Sequence, residues 1–269
     1  IASSMANKNI KSVKNSSKNW NNRINKSIER SMEHEFYKLD YNKQSETTSL
    51  EDLLSKEEIK TITEINELRT EMLKESSYNL IKSLKSNPNN KIFYLNMPTG
   101  GGKTNTSMKL ALHILRKTNI NRVIYAMPFI NIIEQNYDVI KVNFGLSEDK
   151  NEIRKIYSAS ESIFPYKSDE DKSDIIMKDS FFDYPVIFTT FVSLFNPLIK
   201  NKKKYKYSLA SLANSVVILD EIQSLPLRNW TSLYYLINEL SKNFNIYFII
   251  MSATLPEFDE LKINKSVTF

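Results

Sequence analysis

The stretch MPTGGGKT, Met97 to Thr104, contains three of the four glycines in the 269-residue chain. Glycine costs backbone entropy, so three in a row indicate a backbone that turns tightly or is approached closely. The stretch follows the apolar run KIFYLNM and opens the amphipathic run TNTSMKLALHIL. A strand, a glycine turn and a helix N-terminus in this order are the setting of a phosphate-binding loop.

Each residue type in such a loop has a physical task. The glycines let successive backbone N–H groups point at phosphate oxygens, and the helix start adds the positive end of its dipole. Lys103 would reach the β- and γ-phosphates, while the Thr104 hydroxyl would bind Mg²⁺. The alternative is a solvent-exposed glycine turn, and the general loop pattern has glycine where this chain has Met97. We predict that ATP and Mg²⁺ bind here, with the remaining contacts made by Thr99, Gly100, Gly101 and Gly102.

Two further polar motifs come directly after apolar runs. LDEIQ places Asp220 and Glu221 at the end of SVVILD, where packing gives no reason for consecutive acids. Ligands gather at the carboxyl ends of parallel strands. Asp220 is therefore a candidate Mg²⁺ ligand, and Glu221 is a candidate base for an attacking water. MSATLP supplies Ser252 and Thr254 after NIYFIIMSA; the alternative for both motifs is turn capping.

Short apolar runs alternate with amphipathic runs from Lys91 onward. Runs of Val, Ile and Phe separated by helical patterns are typical of a parallel sheet covered on both faces. The sequence therefore predicts an α/β fold with a mostly parallel central sheet flanked by helices. The predicted strands are 91–97, 122–127, 186–190, 215–220 and 245–253.

The chain before Lys91 has a different character. Residues 1–30 hold seven Lys or Arg against one Glu, which accounts for the whole net charge of +6. We expect a basic, loosely structured extension, of the kind that is more often a solvated arm than a phosphate-binding one. A helix should follow from a capping box at Ser55 and end at Asn87–Asn90. The predicted units are the extension 1–48, a helical segment 49–88 and the core 89–269.

Composition excludes several classes of protein. No apolar run reaches the roughly 20 residues of a membrane-spanning helix, and the polar N-terminus has no secretory signal pattern. We therefore expect no membrane partner and a cytoplasmic protein. Cysteine is absent, which excludes disulfides and thiolate metal sites.

The motifs, taken in order, resemble those of one family. PTGGGKT, DEIQ and SATLP have the layout of the first RecA-like half of a superfamily 2 helicase. MPFINIIEQ at 127–135, DEIQ and MSATLP are similar to motifs of the CRISPR-associated helicase of type I systems, as is INELRTEMLKES at 65–76. The resemblance covers about residues 60–260. It implies a RecA-like P-loop domain with an N-terminal helical extension.

The resemblance also implies roles for single residues. Asp220 and Glu221 match the catalytic acids, and Gln223 matches the position that senses the γ-phosphate. Arg69 matches a position near the adenine. The residues that match the motif coupling hydrolysis to movement are Ser252, Ala253 and Thr254. The residues that match segments contacting the backbone of single-stranded DNA are Pro128, Phe129, Asn131, Gln135, Thr189 and Thr190.

Partners follow from the same resemblance. Such a motor acts on DNA marked by a crRNA-guided surveillance complex, usually behind an HD nuclease domain. Neither His34 nor His113 is followed by Asp, so we expect that nuclease elsewhere and not in these 269 residues. A second RecA-like half, in cis or in trans, would bring arginines to the γ-phosphate, so we expect weak hydrolysis without it. The alternatives are another superfamily 2 translocase, such as a restriction-type motor, and a nucleotide-binding docking module without turnover.

Overall fold

A computed structural model describes most of the core of the chain. The described residues are 56–98, 100–118, 120–149, 151–157, 175–176, 178–199 and 212–252. Several predictions therefore lie outside the described residues: those for the extension 1–48, the cap at Ser55, and the site residues Thr99, Ala253 and Thr254.

Helices and strands alternate along the described residues. The helices are α1 (Lys56–Ser86), α2 (Lys103–Lys117), α3 (Ile130–Asn143), α4 (Phe191–Ile199) and α5 (Trp230–Asn243). The strands are β1 (Ile92–Asn96), β2 (Arg122–Met127), β3 (Ile153–Ile156), β4 (Val186–Thr190), β5 (Ser215–Leu219) and β6 (Tyr247–Ser252). Two 3₁₀ turns connect β5 to α5, at Ile222–Ser224 and Leu227–Asn229.

The strands form one parallel sheet in the order β1-β6-β5-β2-β4-β3. Every residue of the four central strands β6, β5, β2 and β4 is buried. Burial on both faces explains why these strands are near-continuous apolar runs rather than alternating ones. The predicted α/β fold with a mostly parallel sheet flanked by helices is confirmed.

One strand was not predicted. β3 (IRKI) is four residues long, lies at the edge of the sheet and carries two charged side chains, Arg154 and Lys155. Arg154 forms an ion pair with Asp179 at 3.2 Å, and Lys155 forms one with Glu134. A short strand with charges that are neutralised only after folding has no continuous apolar run to reveal it.

Apolar side chains fill two layers, one on each face of the sheet. The first layer lies under α1, α2 and α3 and includes Met108, Tyr125 and Phe188. The second lies under α4 and α5 and includes Trp230 and Phe248. Because all described strands are parallel, their carboxyl ends meet at one edge, and the predicted polar motifs are carried there.

Local sequence explains the helix ends. α1 ends before the Asn87–Asn90 turn, in which Asn90 N donates to Asn87 O at 3.0 Å. α2 begins directly after Gly102 and ends at Lys117, and the next residue, Thr118, is extended. Within the described residues no helix combines the length and apolar character needed to cross a membrane.

Candidate nucleotide-binding site

The glycine turn adopts backbone conformations that other residues disfavour. Gly100 and Gly102 have φ of 79° and 80°, in the left-handed region. Gly101 has another constraint: its N–H donates to Pro98 O at 3.0 Å, and an added Cβ would lie 3.0 Å from that oxygen. Glycine is therefore favoured at positions 100 and 102 by their positive φ, and at position 101 by the lack of space for a Cβ beside Pro98.

The turn leads straight into the N-terminus of α2. Lys103 is the first helical residue, and Thr106 N donates to Gly102 O at 3.0 Å. The first N–H groups of a helix have no acceptor within the helix. Among the described residues α2 has no acid in its first turn and no side-chain cap at Gly102. The positive end of the helix is thus suited to a phosphate group.

Helix α1 supports the turn from the side. Arg69 Nε donates to Gly100 O at 2.8 Å, and Arg69 Nη1 donates to Asn66 Oδ1 at 3.1 Å. Met72 lies close enough that its Cε would be 3.3 Å from a Cβ on Gly101. The observed contact of Arg69 is therefore with the loop backbone, and its role near an adenine stays a prediction.

The Thr104 hydroxyl is oriented by α3. Its Oγ1 donates to Asn136 Oδ1 at 3.1 Å, and Asn136 Nδ2 in turn lies 3.6 Å from Met127 Sδ. A hydroxyl has one proton and two lone pairs. Because the Thr104 hydroxyl donates its hydrogen bond to Asn136, its lone pairs point elsewhere and can accept from a donor or bind a cation.

Asp220 lies just beyond β5 with 5% of its surface exposed. Its N–H donates to Ala126 O at 3.0 Å, its Oδ1 accepts from Glu221 N at 2.9 Å, and its Oδ2 accepts from Tyr125 Oη at 3.2 Å. Burial, followed by the neighbouring Glu221 charge, raises the pKa of Asp220 to about 6. A buried carboxylate beside a second carboxylate is stabilised by a cation.

Glu221, Gln223 and Ser252 form one hydrogen-bonded group. Gln223 Nε2 donates to Glu221 Oε2, and Ser252 Oγ donates to Gln223 Oε1 at 2.7 Å. Glu221 has φ of 54°, unusual for a residue with a side chain. The structure thus brings together residues from the ends of β5 and β6 that the sequence had placed in separate motifs.

The residues present fit ATP with Mg²⁺. Thr104 and Asp220 could hold the cation with a hydroxyl and a carboxylate, the hard oxygen ligands Mg²⁺ prefers. Within the described residues no group of three or more His, Cys, Asp or Glu could hold a metal.

Three residues that contact this site were not predicted. They are Tyr125, Asn136, and Ser107, whose Oγ lies 3.3 Å from Tyr125 Oη. Tyr125 carried a detectable signal, because a phenol stands inside the apolar run RVIYAM. Ser107 and Asn136 lie in amphipathic helices, where polar residues are ordinary. Their contacts depend on how α2, α3 and β2 pack together, which a single sequence does not reveal.

The predicted DNA-contacting residues divide into two groups. Phe129 is 60% exposed, Asn131 and Gln135 are exposed, and Pro128 is half-buried. Thr189 is fully buried and Thr190 is 8% exposed.

The two threonines differ from their prediction because β4 passes directly into α4. Thr190 Oγ1 accepts from Ser193 N at 3.1 Å and so caps the new helix. Thr189 lies within the sheet, paired with Ala126. As placed, neither hydroxyl faces an open surface where a DNA backbone could lie.

Comparison with known families gives a match over most of the chain. Residues 60–257 match the family described as type III restriction enzyme, res subunit. The chain belongs to this family. The match includes the phosphate loop and both carboxylates, and members of the family generally use a nucleotide with Mg²⁺.

Two curated relatives carry a more specific name. The chain is 30% identical over 178 residues to the CRISPR-associated nuclease/helicase Cas3 of Haloferax volcanii, which covers 60% of the chain and 19% of the relative. It is 28% identical over 184 residues to a putative Cas3 of Methanocaldococcus jannaschii, covering 64% and 24%. The chain therefore spans about a fifth to a quarter of the curated relatives it matches. The predicted resemblance to a CRISPR-associated helicase, as its first RecA-like motor domain, is confirmed.

A solved structure is similar at lower identity. The SWI2/SNF2 ATPase core of Sulfolobus solfataricus, solved in complex with double-stranded DNA, matches with 15% identity and a TM-score of 0.44, covering 72% of the chain and 34% of that structure. A likeness of this degree carries no argument about activity.

Proposed function

We propose that the chain is the ATP-binding motor half of a CRISPR-associated DNA helicase or translocase that acts in type I interference. The observation that carries this proposal is the meeting of three polar motifs at the carboxyl ends of neighbouring strands. The phosphate loop follows β1, Asp220 and Glu221 follow β5, and Ser252 is the last residue of β6. Family membership and the names of the two relatives support it.

Each residue has a defined task in ATP hydrolysis. The Lys103 ammonium pairs with the β- and γ-phosphates, and the loop N–H groups orient them. Thr104 and Asp220 hold Mg²⁺, which when bound neutralises phosphate charge. Glu221 orients a water against the γ-phosphorus and accepts its proton.

Gln223 keeps Glu221 in place for that task. Its amide engages one carboxylate oxygen, Oε2, so the other oxygen is available to the water. The same amide accepts from Ser252 at the end of β6. A change in the position of Glu221 during hydrolysis would therefore move Gln223 and alter its hydrogen bond with Ser252. Ser252 directly precedes the proposed coupling residues Ala253 and Thr254.

DNA binding involves a different surface of the same edge. Phe129, Asn131 and Gln135 are exposed near the start of α3, where a single strand of DNA could contact N–H and amide groups. Asn136, the residue after Gln135, accepts the hydrogen bond from the Thr104 hydroxyl. One helix thus carries both the DNA-facing residues and a contact to the nucleotide site.

Three partners complete the proposed activity. A second RecA-like half, in cis or in trans, supplies arginines to the γ-phosphate and makes movement on single-stranded DNA possible. A crRNA-guided surveillance complex delivers the DNA. An HD nuclease domain outside these 269 residues cuts it.

The test is ATP turnover by the purified chain with and without single-stranded DNA. We expect ATP binding and a slow turnover that DNA increases, and we expect Glu221→Gln to bind ATP but not to hydrolyse it. Absence of ATP binding in the parent would contradict the proposed function. Binding without any turnover, with or without DNA, would instead favour a docking module.

A restriction-type translocase is the second candidate function. The observation that favours it is the description of the matching family, type III restriction enzyme, res subunit. We expect the two candidates to differ in the DNA that stimulates ATP turnover, a single strand for the first and a duplex for the second. Stimulation by a linear duplex but not by a circular single strand would favour this candidate.

A further inference from the structure

Tyr125 places a phenol hydroxyl inside a hydrophobic layer. Its side chain on β2 is fully buried, and its ring stacks on Phe188 of β4 with centroids 5.0 Å apart and planes 6° apart. A phenylalanine would serve this packing equally well, because the stack does not involve the oxygen. Burying a hydroxyl costs free energy unless it is hydrogen-bonded, so the oxygen requires its own explanation.

The hydroxyl connects the two sides of the proposed nucleotide site. Tyr125 Oη donates to Asp220 Oδ2 at 3.2 Å. Ser107 Oγ lies 3.3 Å from that Oη and 3.0 Å from Thr104 O. A buried polar chain therefore runs from the carboxylate after β5 to the first turn of α2.

The same contacts fix the plane of the carboxylate. Asp220 Oδ1 accepts from Glu221 N at 2.9 Å while Oδ2 accepts from Tyr125. Each carboxylate oxygen has a second lone pair that can still bind a cation. Without the phenol one oxygen would lose its partner, and the carboxylate could rotate about its Cβ–Cγ bond.

We propose that Tyr125 is a positioning residue whose hydroxyl sets the orientation of Asp220 relative to Thr104 and so prepares the pair to bind Mg²⁺ with nucleotide. The inference rests on the proposed ATP-binding function and adds to it a residue that touches neither nucleotide nor metal. Removal of the Tyr125 hydroxyl lowers the affinity of the protein for nucleotide in the presence of Mg²⁺. The affinity for metal-free nucleotide is unchanged, because the phosphate loop does not contain Tyr125.

Tyr137 provides a matched control. It lies on α3, is 1% exposed and packs edge-on against the same Phe188 ring, with centroids 5.4 Å apart and planes at 83°. Its hydroxyl lies 3.5 Å from Ile153 O. Ile153 is at the amino end of β3, whereas Asp220 follows the carboxyl end of β5, so this hydroxyl lies at the other end of the strands from Asp220.

The experiment is calorimetric titration of a non-hydrolysable ATP analogue in Mg²⁺ and in excess EDTA. We expect Tyr125→Phe to reduce the ratio of the affinity in Mg²⁺ to the affinity in EDTA about 10- to 100-fold, the usual effect of losing a hydrogen bond to a charged group. Its affinity in EDTA should equal that of the parent. Tyr137→Phe should keep the parent's ratio.

Several outcomes would overturn the proposal. One is a folded Tyr125→Phe variant whose ratio of affinities in Mg²⁺ and in EDTA equals that of the parent. Another is a Tyr137→Phe variant whose ratio falls as far as that of Tyr125→Phe, which would assign the effect to packing. In an Asp220→Asn background Tyr125→Phe should cause no further fall, and a further fall would show that Tyr125 does not act through Asp220. Should Tyr125→Phe not fold, Ser107→Ala tests the same chain, and an unchanged ratio there overturns the proposal. A parent that binds the analogue in neither condition contradicts the proposed function itself.

Discussion

At the scale of single residues, Lys103 is the only charge that the first turn of α2 offers to a phosphate. Lys103→Ala should weaken ATP binding about 10- to 100-fold, because a charge-assisted contact to the phosphates is lost. The measurement is calorimetric affinity. Lys117→Ala, at the exposed far end of the same helix, is the control and should bind ATP as the parent does. Equal affinities for parent and Lys103→Ala would remove Lys103 from the site.

Gly102 gives a second prediction at this scale, paired with Gly145. Both have positive φ, 80° and 59°. Alanine at either position should lower the free energy of unfolding by about 1–2 kcal/mol, because Cβ disfavours this backbone region. Only Gly102→Ala should also weaken ATP binding, since Gly145 lies beyond the C-terminus of α3. Urea unfolding and calorimetry on both variants check this, and a parental ATP affinity in Gly102→Ala would contradict it.

The site could be predicted in part from the sequence, and the two parts differ in kind. Lys103, Asp220 and Glu221 were identifiable because each follows an apolar run in a motif with its own spacing. The bond between Asp220 and Tyr125 was not identifiable, because it depends on β2 and β5 being neighbours in the sheet although 95 positions separate the two residues. The cap that Thr190 provides for α4 and the burial of Thr189 likewise depend on β4 joining α4 without a loop.

At the scale of secondary structure, the strands were predicted to within about two residues wherever burial on both faces makes a run apolar. β2 and β4 agree with the predicted 122–127 and 186–190, and β5 ends one residue early because Asp220 has left the sheet. β3 was missed because an edge strand can carry charge. An apolar run in the sequence indicates a buried segment, so it reveals a strand only where both faces of that strand are buried.

Helix α2 carries a pH-dependent contribution to stability at His113. Burial, then the charges of Lys109, Arg116 and Lys117, lower the pKa of His113 from 6.5 to about 4. The folded protein thus binds a proton less readily than the unfolded chain. Stability from this group is complete above pH 6.5 and is lost as the pH falls towards about 4.

His113→Gln should therefore be less sensitive to acid than the parent. Between pH 7 and pH 5 we expect the parent to lose about 1 kcal/mol more than the variant, after allowing for solvent screening at a partly exposed ring. Urea unfolding at both pH values gives the measurement. The comparison between the two proteins removes the contribution of carboxylates, which is common to both. Equal losses would show that His113 titrates normally in the fold.

At the scale of the whole molecule, hydrolysis by these 269 residues alone should be slow. Catalytic arginines from a second motor half contribute about 10³–10⁵ in rate, against a typical enzyme turnover of about 10 per second. We expect a turnover of about 0.01 per second or less, abolished by Glu221→Gln. Phosphate release followed with a coupled assay would decide, and tens of turnovers per second would show that no second half is needed.

We also expect no cleavage of DNA by this polypeptide. Metal-assisted cleavage needs ligands that fix one or two cations, and the sequence offers no cysteine and two separate histidines, His34 and His113, neither of them followed by Asp. Labelled circular single strands and duplexes should remain intact with Mg²⁺, Mn²⁺, Co²⁺ or Ni²⁺, with and without ATP. Cleavage that copurifies with the chain and disappears on substitution of one of its residues would overturn this expectation, with Glu221→Gln as the reference variant.

The order of the strands has a consequence for synthesis. β1, which leads into the phosphate loop, pairs only with β6 among the described strands, and Ile92 pairs with Phe248, 156 positions further along the chain (248 − 92). During translation β1 therefore emerges long before its sole neighbour exists. In a nascent chain β2, β4 and β5 can pair with one another while both edges of β1 remain unpaired. The loop and the carboxylates then reach their final spacing only after β6 has left the ribosome, so a pause before β6 would leave an aggregation-prone edge exposed.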